Sequence, residues 1–157
     1  MARGVYTVSF FEQSFTTANG DYDFFELDAA AEKPIEIVAI EIGNKSEIGD
    51  AQEEMVSYTV VRGNTTTGNG SAATEQALDP SDGAASFAAK TVSSTPAAAG
   101  TEAILVASTF NIRAGLMVIY PPEMRPKTAG ADLLCVRLET ALADDATLSG
   151  TIWVREL

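Results

Sequence analysis

Met55–Gly63, MVSYTVVRG, decides the fold class. Val56, Tyr58 and Val60 fall on one side of an extended chain, and Met55, Ser57 and Thr59 on the other. Period-two alternation over β-branched and aromatic residues is the pattern of a half-buried strand. A run of small and polar residues, Asn64 to Ala73, follows directly. Firm strands feeding soft loops set the character of the whole chain.

Towards the N-terminus, Val5–Phe11 alternates with large residues on both faces, which points to a strand covered on both sides or by a partner chain. Met1–Gly4 before it is a candidate extended arm. Asn19-Gly20-Asp21 is a turn signal, and Tyr22–Leu27 is the next strand. In Ile35–Ile42 the apolar phase flips between Ile37 and Val38, so either both faces are buried or a bulge shifts the register. Glu36 and Glu41 are then expected outward. Glu47–Glu54 is acidic, but its spacing matches no EF-hand loop, so a solvated loop is expected there rather than a calcium site.

Towards the C-terminus, Gly63–Ala77 is too rich in Thr, Asn and Gly to pack on its own. Asp79 and Pro80 have the form of a helix cap and first helical residue, predicting a turn or two of helix before Gly83. Ser86–Val92 is expected to be a strand, because a structureless stretch of about thirty residues is rare inside a compact domain. Ala103–Phe110 is a further strand, with Ile104, Val106 and Phe110 facing one way. Leu116–Tyr120 is apolar on both faces and is stopped by Pro121-Pro122. Leu133–Leu138 places Leu134, Val136 and Leu138 inward and Arg137 outward. Leu148–Val154 closes the series, with Trp153 opposite Ile152 and Val154. About nine strands and at most one short helical turn predict an all-β chain: an antiparallel β-sandwich or a jelly-roll-like barrel. With no linker or internal repeat, residues 1–157 read as one domain.

The totals bound the chemistry. A net charge of −12, with no basic run, argues against nucleic acid as a partner. There is no His, hence no histidine base or ligand, and Cys135 stands alone in an apolar run, so no internal disulfide or cysteine-rich zinc site can form. No apolar run reaches 18 residues, so no membrane-spanning helix is expected. The first fifteen residues lack the apolar core of a signal peptide, and a chain folded in a cytoplasm is expected. No catalytic, cofactor or metal residues stand out, and no cofactor is expected. The twenty-two acidic residues contain no carboxylate pair in a recognisable catalytic frame.

Surfaces are the better candidates. Tyr120, Pro121, Pro122, Met124 and Arg125 sit in one rigid segment, and Trp153 faces away from its apolar neighbours. Trp, Tyr, Met and Arg are enriched at interface cores. With Val5, Tyr6 and Phe10 of the two-faced first strand, they form the candidate interface.

From Val61-Arg62-Gly63 onward, over the last two-thirds of the chain, the sequence resembles small tailed-phage virion proteins. The likeness is carried by the Thr/Gly/Ser loop, by Leu78-Asp79-Pro80-Ser81-Asp82, and by Phe110-Asn111-Ile112-Arg113-Ala114-Gly115. It continues through the PPEMRP segment with Glu123 and Arg125, the strand LLCVRL, and a last Gly-Thr-hydrophobic strand ending in Glu156-Leu157. Such proteins are similar to head decoration, or cement, proteins. The resemblance implies a β-rich subunit, a homotrimer, bound to the outside of the major capsid protein lattice in a virion assembled in the host cytoplasm. It supplies no ligand residues. The alternative is an adhesive or receptor-binding module of a tail fibre or cell surface, with recognition in the Asn64–Thr74 loop. An enzyme with two facing carboxylates comes third.

Overall fold

The computed structural model describes residues 4–45 and 54–157. The chain is all-β: twelve strands among the described residues and a single 3-10 turn, Pro122–Met124. In order the strands are β1 (Val5–Phe15), β2 (Tyr22–Asp28), β3 (Ile35–Asn44), β4 (Met55–Arg62), β5 (Ser71–Ala73) and β6 (Gln76–Ala77). There follow β7 (Ala88–Ser93), β8 (Ala103–Asn111), β9 (Leu116–Ile119), β10 (Lys127–Thr128), β11 (Leu133–Leu138) and β12 (Ala146–Glu156). The excess over nine consists of β5, β6 and β10, two or three residues each, too short to leave a periodic signal.

Two antiparallel sheets form a sandwich. Sheet A runs β10-β3-β12-β1-β6, with β9 also paired to β3; sheet B runs β5-β7-β2-β11-β4-β8. Strands of alternating pattern each turn one face to the other sheet, so the main core gathers Val8, Phe10, Ile40 and Ile152 from sheet A and Phe25, Val60 and Val136 from sheet B. Phe10, Phe15, Tyr22, Phe24 and Phe25 pack ring against ring with centroids 4.8 to 6.3 Å apart. Each such aromatic buried contributes about 1.5–3 kcal/mol by area alone. β4 behaves as its alternation demands: Val56, Tyr58 and Val60 lie in the core and Met55 is exposed.

The phase flip in β3 is a bulge. The register with β12 runs Ile40 to Ile152, then Ala39 to Trp153, then Ile37 to Val154, leaving Val38 as the extra residue. A second bulge was hidden in β8. Val106 pairs with Val60 but Ile104 pairs with Val61, so Leu105 is extra. Ile104 therefore does not share a face with Val106; it is 60% exposed. Asp79 and Pro80 start no helix. The Asp79 carboxylate accepts from the amide and hydroxyl of Ser81, and Asp82 N–H bonds Asp79 C=O, closing a single turn that Gly83 does not extend. Of the proposed arm only Gly4 is described, and of the Glu47–Glu54 loop only Glu54, whose carboxylate accepts from Ala143 N–H. Among the described residues no helix is long and apolar enough to cross a membrane.

Candidate protein-docking face

Registered residues on neighbouring strands share a face, so the pairings of sheet A define its outer surface row by row. One row is Thr7, Trp153, Ala39 and Ile119; the next is Ser9, Thr151, Glu41 and Met117. A third is Val5, Arg155, Glu36 and Lys127. Phe11 stands at the far end of the face, beside the bulge where Glu12 N–H bonds Ser149 Oγ. On β1, β12 and β3 the two upper rows are mostly small (Thr7, Ala39, Ser9 and Thr151), so the face is low there between larger apolar groups. Phe11 is 74% exposed, Ile119 68% and Met117 57%, while Trp153 and Val5 are half-buried. A shallow groove of about 350 Å³ runs between Phe11 and Glu41 over Gly43, Ser149 and Thr151. No described segment of the chain crosses these upper rows.

The candidate interface residues divide. Trp153 and Val5 are on this face, and Pro121, Pro122 and Met124 are exposed on the crossover beside it. Arg125 is half-buried and turned under the crossover, its guanidinium 2.7 Å from Glu36. Tyr6, Phe10 and Tyr120 are corrections: all three are in the core. On β1 the even positions face inward, so Tyr6 and Phe10 belong with Val8 rather than with Val5 and Phe11. Tyr120 N–H bonds Val38 C=O, which continues the β9 ladder one residue and turns the ring into the sandwich. Burial, with Tyr58 alongside, pushes its phenol above the ordinary value. Phe11, Met117 and Ile119 were missed. Parity could have found them, because Leu116 and Val118 pack on the core and leave the odd residues outside.

The lower corner of the face is polar. Glu36 faces outward as expected, but it is nearly enclosed by Arg125, Lys127 at 3.1 Å and Arg155 at 3.7 Å. Burial alone would raise its carboxyl; the bonds and charges of Arg125 and Lys127 outweigh it and hold the group below its usual range.

The centre of the outer face of sheet B is covered by the chain itself, while Met55 and Ile104 at its β4–β8 edge stay exposed. Its Val61, Leu133 and Cys135 form a second apolar cluster with Ala97 from the loop above. Arg137 projects outward from β11 as expected but is buried by that loop. Its Nε lies 2.7 Å from Asp23, one terminal nitrogen 2.6 Å from Glu102, and the other donates to Ala97 C=O. Asp23 also accepts from Ala97 N–H at 2.7 Å. Burial pushes the Asp23 carboxyl up to about 6, against the pull of Arg137 and the Ala97 amide. The Asn64–Thr74 loop is pinned down the same way: Glu26 takes Gly68 N–H, Ser93 takes Gly70 N–H, and Asn64 donates to Glu102 and Ala99. Burial raises the Cys135 thiol well above its normal value, which leaves it a packing group. Among the described residues no group of three or more acidic or cysteine side chains is placed to hold a metal ion.

No family model matches the chain, and no curated protein matches it. Among solved structures, the D431N mutant VP2 protein of infectious bursal disease virus, in derived T=1 particles, aligns with 98% of this chain at a TM-score of 0.25 and 12% identity. The chain spans 40% of that protein's length, and so slight a likeness carries no argument.

Proposed function

We propose that the chain is a structural protein of a phage virion, a head decoration subunit that binds the outside of the major capsid protein lattice and stabilises it. The observation that carries this reading is the uncovered outer face of sheet A. Phe11, Met117, Ile119 and Trp153 stand on a flat antiparallel surface that no described segment covers, in a chain that roofs the centre of its other sheet. Flat surfaces with isolated aromatic and aliphatic anchors suit protein contact better than small ligands, which need concave pockets. A subunit that binds only the assembled shell stabilises it by mass action without any chemistry. Three copies around one axis would match three-fold positions of a shell, which favours a homotrimer. The resemblance over the last two-thirds of the chain points to the same role. The internal bonding of the Asn64–Thr74 loop weighs against the adhesive-module alternative, since its amides are already spent on Glu26 and Ser93.

The test is co-sedimentation of the purified chain with shells assembled from the major capsid protein of its source virus. The wild type should pellet with shells, and the double variant Met117→Ser/Ile119→Ser should remain in the supernatant while melting at the same temperature. A wild-type chain that ignores shells at saturating concentration ends the proposal. Light scattering on the free chain checks the trimer.

A further inference from the structure

β8 lies at the edge of sheet B, paired only with β4. In an antiparallel ladder alternate residues bond to the partner, so about half of its main-chain donors and acceptors point away from β4. Among the described residues, Ala103–Phe110 makes no further main-chain hydrogen bond outside that pairing. Natural edges of this kind are guarded by charge, proline or a bulge. AILVASTFN contains neither charge nor proline, and its bulge at Leu105 leaves Val106–Phe110 in regular register.

Beside this edge the sandwich is open. A groove of about 310 Å³ separates Leu105 and Val106 from the crossover residues Met124 and Pro126, with Arg62 and Lys127 at its rim. Arg62 and Lys127 are both exposed, and Arg62 donates to the Lys127 carbonyl. Arg125 and Arg155 lie behind them, against Glu36. Four of the chain's ten basic residues thus gather at one corner of a molecule whose net charge is −12. Glu36, which pairs with three of them, is enclosed, and Glu123 lies on the groove wall.

We infer that the β8 edge is an acceptor site for an extended acidic segment of a partner protein, which adds a strand along Val106–Phe110. Its apolar side chains lie against Leu105, Val106 and Met124, and a carboxylate side chain at one end meets Arg62 and Lys127. Main-chain pairing gives such a contact its affinity, and the basic rim gives it sign and register. The site shares Lys127 with the lower corner of the sheet A face but uses none of that face's upper rows, and it stands whether or not those rows bind a capsid.

The test uses the full chain and an acetylated octapeptide alternating valine with glutamate, with a valine–lysine octapeptide as control. In a titration followed by amide chemical shifts, the acidic peptide should move Val106–Asn111 and the lysine peptide should not. The variant Arg62→Glu, which leaves the Lys127–Glu36 pair in place, should bind the acidic peptide at least ~5-fold more weakly, since an exposed ion pair becomes a like-charge contact. It should also gain affinity for the lysine peptide while keeping its melting temperature within a few degrees. Equal binding of both peptides, shifts confined to the Trp153 face, or no shifts at millimolar peptide would overturn the assignment. So would concentration-dependent shifts at β8 without peptide, which would make a second copy the occupant.

Discussion

The outer faces of the two sheets carry similar apolar groups, and away from the exposed Met55 and Ile104 at the edge of sheet B they are treated oppositely. On sheet B, Leu133, Val61 and Cys135 are roofed by the loops that follow β4 and β7. On sheet A, Met117, Ile119 and Phe11 are left to solvent. The roof is not held by hydrophobic area, since its residues are Thr, Asn, Gly and Ala. It is held by side chains from the sheet below, chiefly Asp23, Glu26, Ser93 and Arg137, which supply the partners that loop amides and carbonyls would otherwise seek in water. A face becomes self-sufficient when its strands carry buried polar groups pointing outward to fasten a cover. The upper rows of sheet A, with Thr7, Ser9, Ala39 and Thr151 between the large apolar groups, carry no such buried outward group; Glu36, which holds Arg125 of the crossover, is confined to the lower corner.

Breaking the fastening should have the largest effect. Arg137→Met leaves Asp23 buried without its cation, which costs about 3–5 kcal/mol. For a chain of this size that lowers the melting temperature by roughly 10 °C. The double variant Arg137→Met/Asp23→Leu should recover much of the loss, because a buried ion pair replaced as a unit by apolar groups is often near neutral. Thermal melts of the two proteins check both statements. No recovery would mean that the Ala97 and Glu102 contacts, rather than the charge pair, hold the roof. Next comes the apolar layer beneath it: Leu133→Ala should cost about 2–4 kcal/mol as a buried truncation, measured by urea unfolding.

Two of the enclosed carboxylates, Asp23 and Glu36, sharpen the contrast, because they titrate with opposite sign. Asp23 has its proton affinity raised from 3.8 to about 6 by burial. Between those values the native state binds more protons than the unfolded chain, so this group's contribution to stability falls as pH rises from about 4 to about 6. Glu36 is held below 4.5 by Arg125 and Lys127, so it stabilises the fold above that value and the contribution is lost as pH falls through its lowered range. Asp23→Asn should therefore make the stability profile climb more steeply between pH 4 and 6, by on the order of 2 kcal/mol over the window. Glu36→Gln should flatten the acid limb below pH 4.5. Denaturant midpoints at half-unit pH steps would read both slopes, and a profile unchanged by Asp23→Asn would show that Arg137 already cancels the burial.

What the sequence made legible followed from period-two alternation. The all-β class, the inward set of β11 and β12 and the phase break at Val38 all appear in a string of letters, though only the pairing with β12 shows that break to be a bulge. The buried Arg137 was legible only as an outward charge. Its cover comes from Ala97 and Glu102, 35 to 40 residues away, and a Thr/Gly/Asn loop gives no sign of what it lies on. Tyr6 and Phe10 were misplaced because β1 carries large residues at both parities, and only pairing with β12 tells which parity meets the core. The Leu105 bulge was silent because every residue around it is apolar, so a slip of one position leaves no break in the pattern.

The smallest effect is the most telling. Ile119→Ala removes a side chain as large as that removed by Leu133→Ala, from the outer face of the other sheet. At 68% exposure it makes few contacts to lose, and the change in stability of the dilute chain should stay within about 0.5 kcal/mol. The comparison turns on that ratio. If Ile119→Ala costs as much as Leu133→Ala, the face of sheet A is already covered in solution by another copy, and the midpoint should then move with protein concentration. If it costs nothing in the free chain yet weakens the chain's hold on a shell, the side chain is kept for a contact made outside the chain.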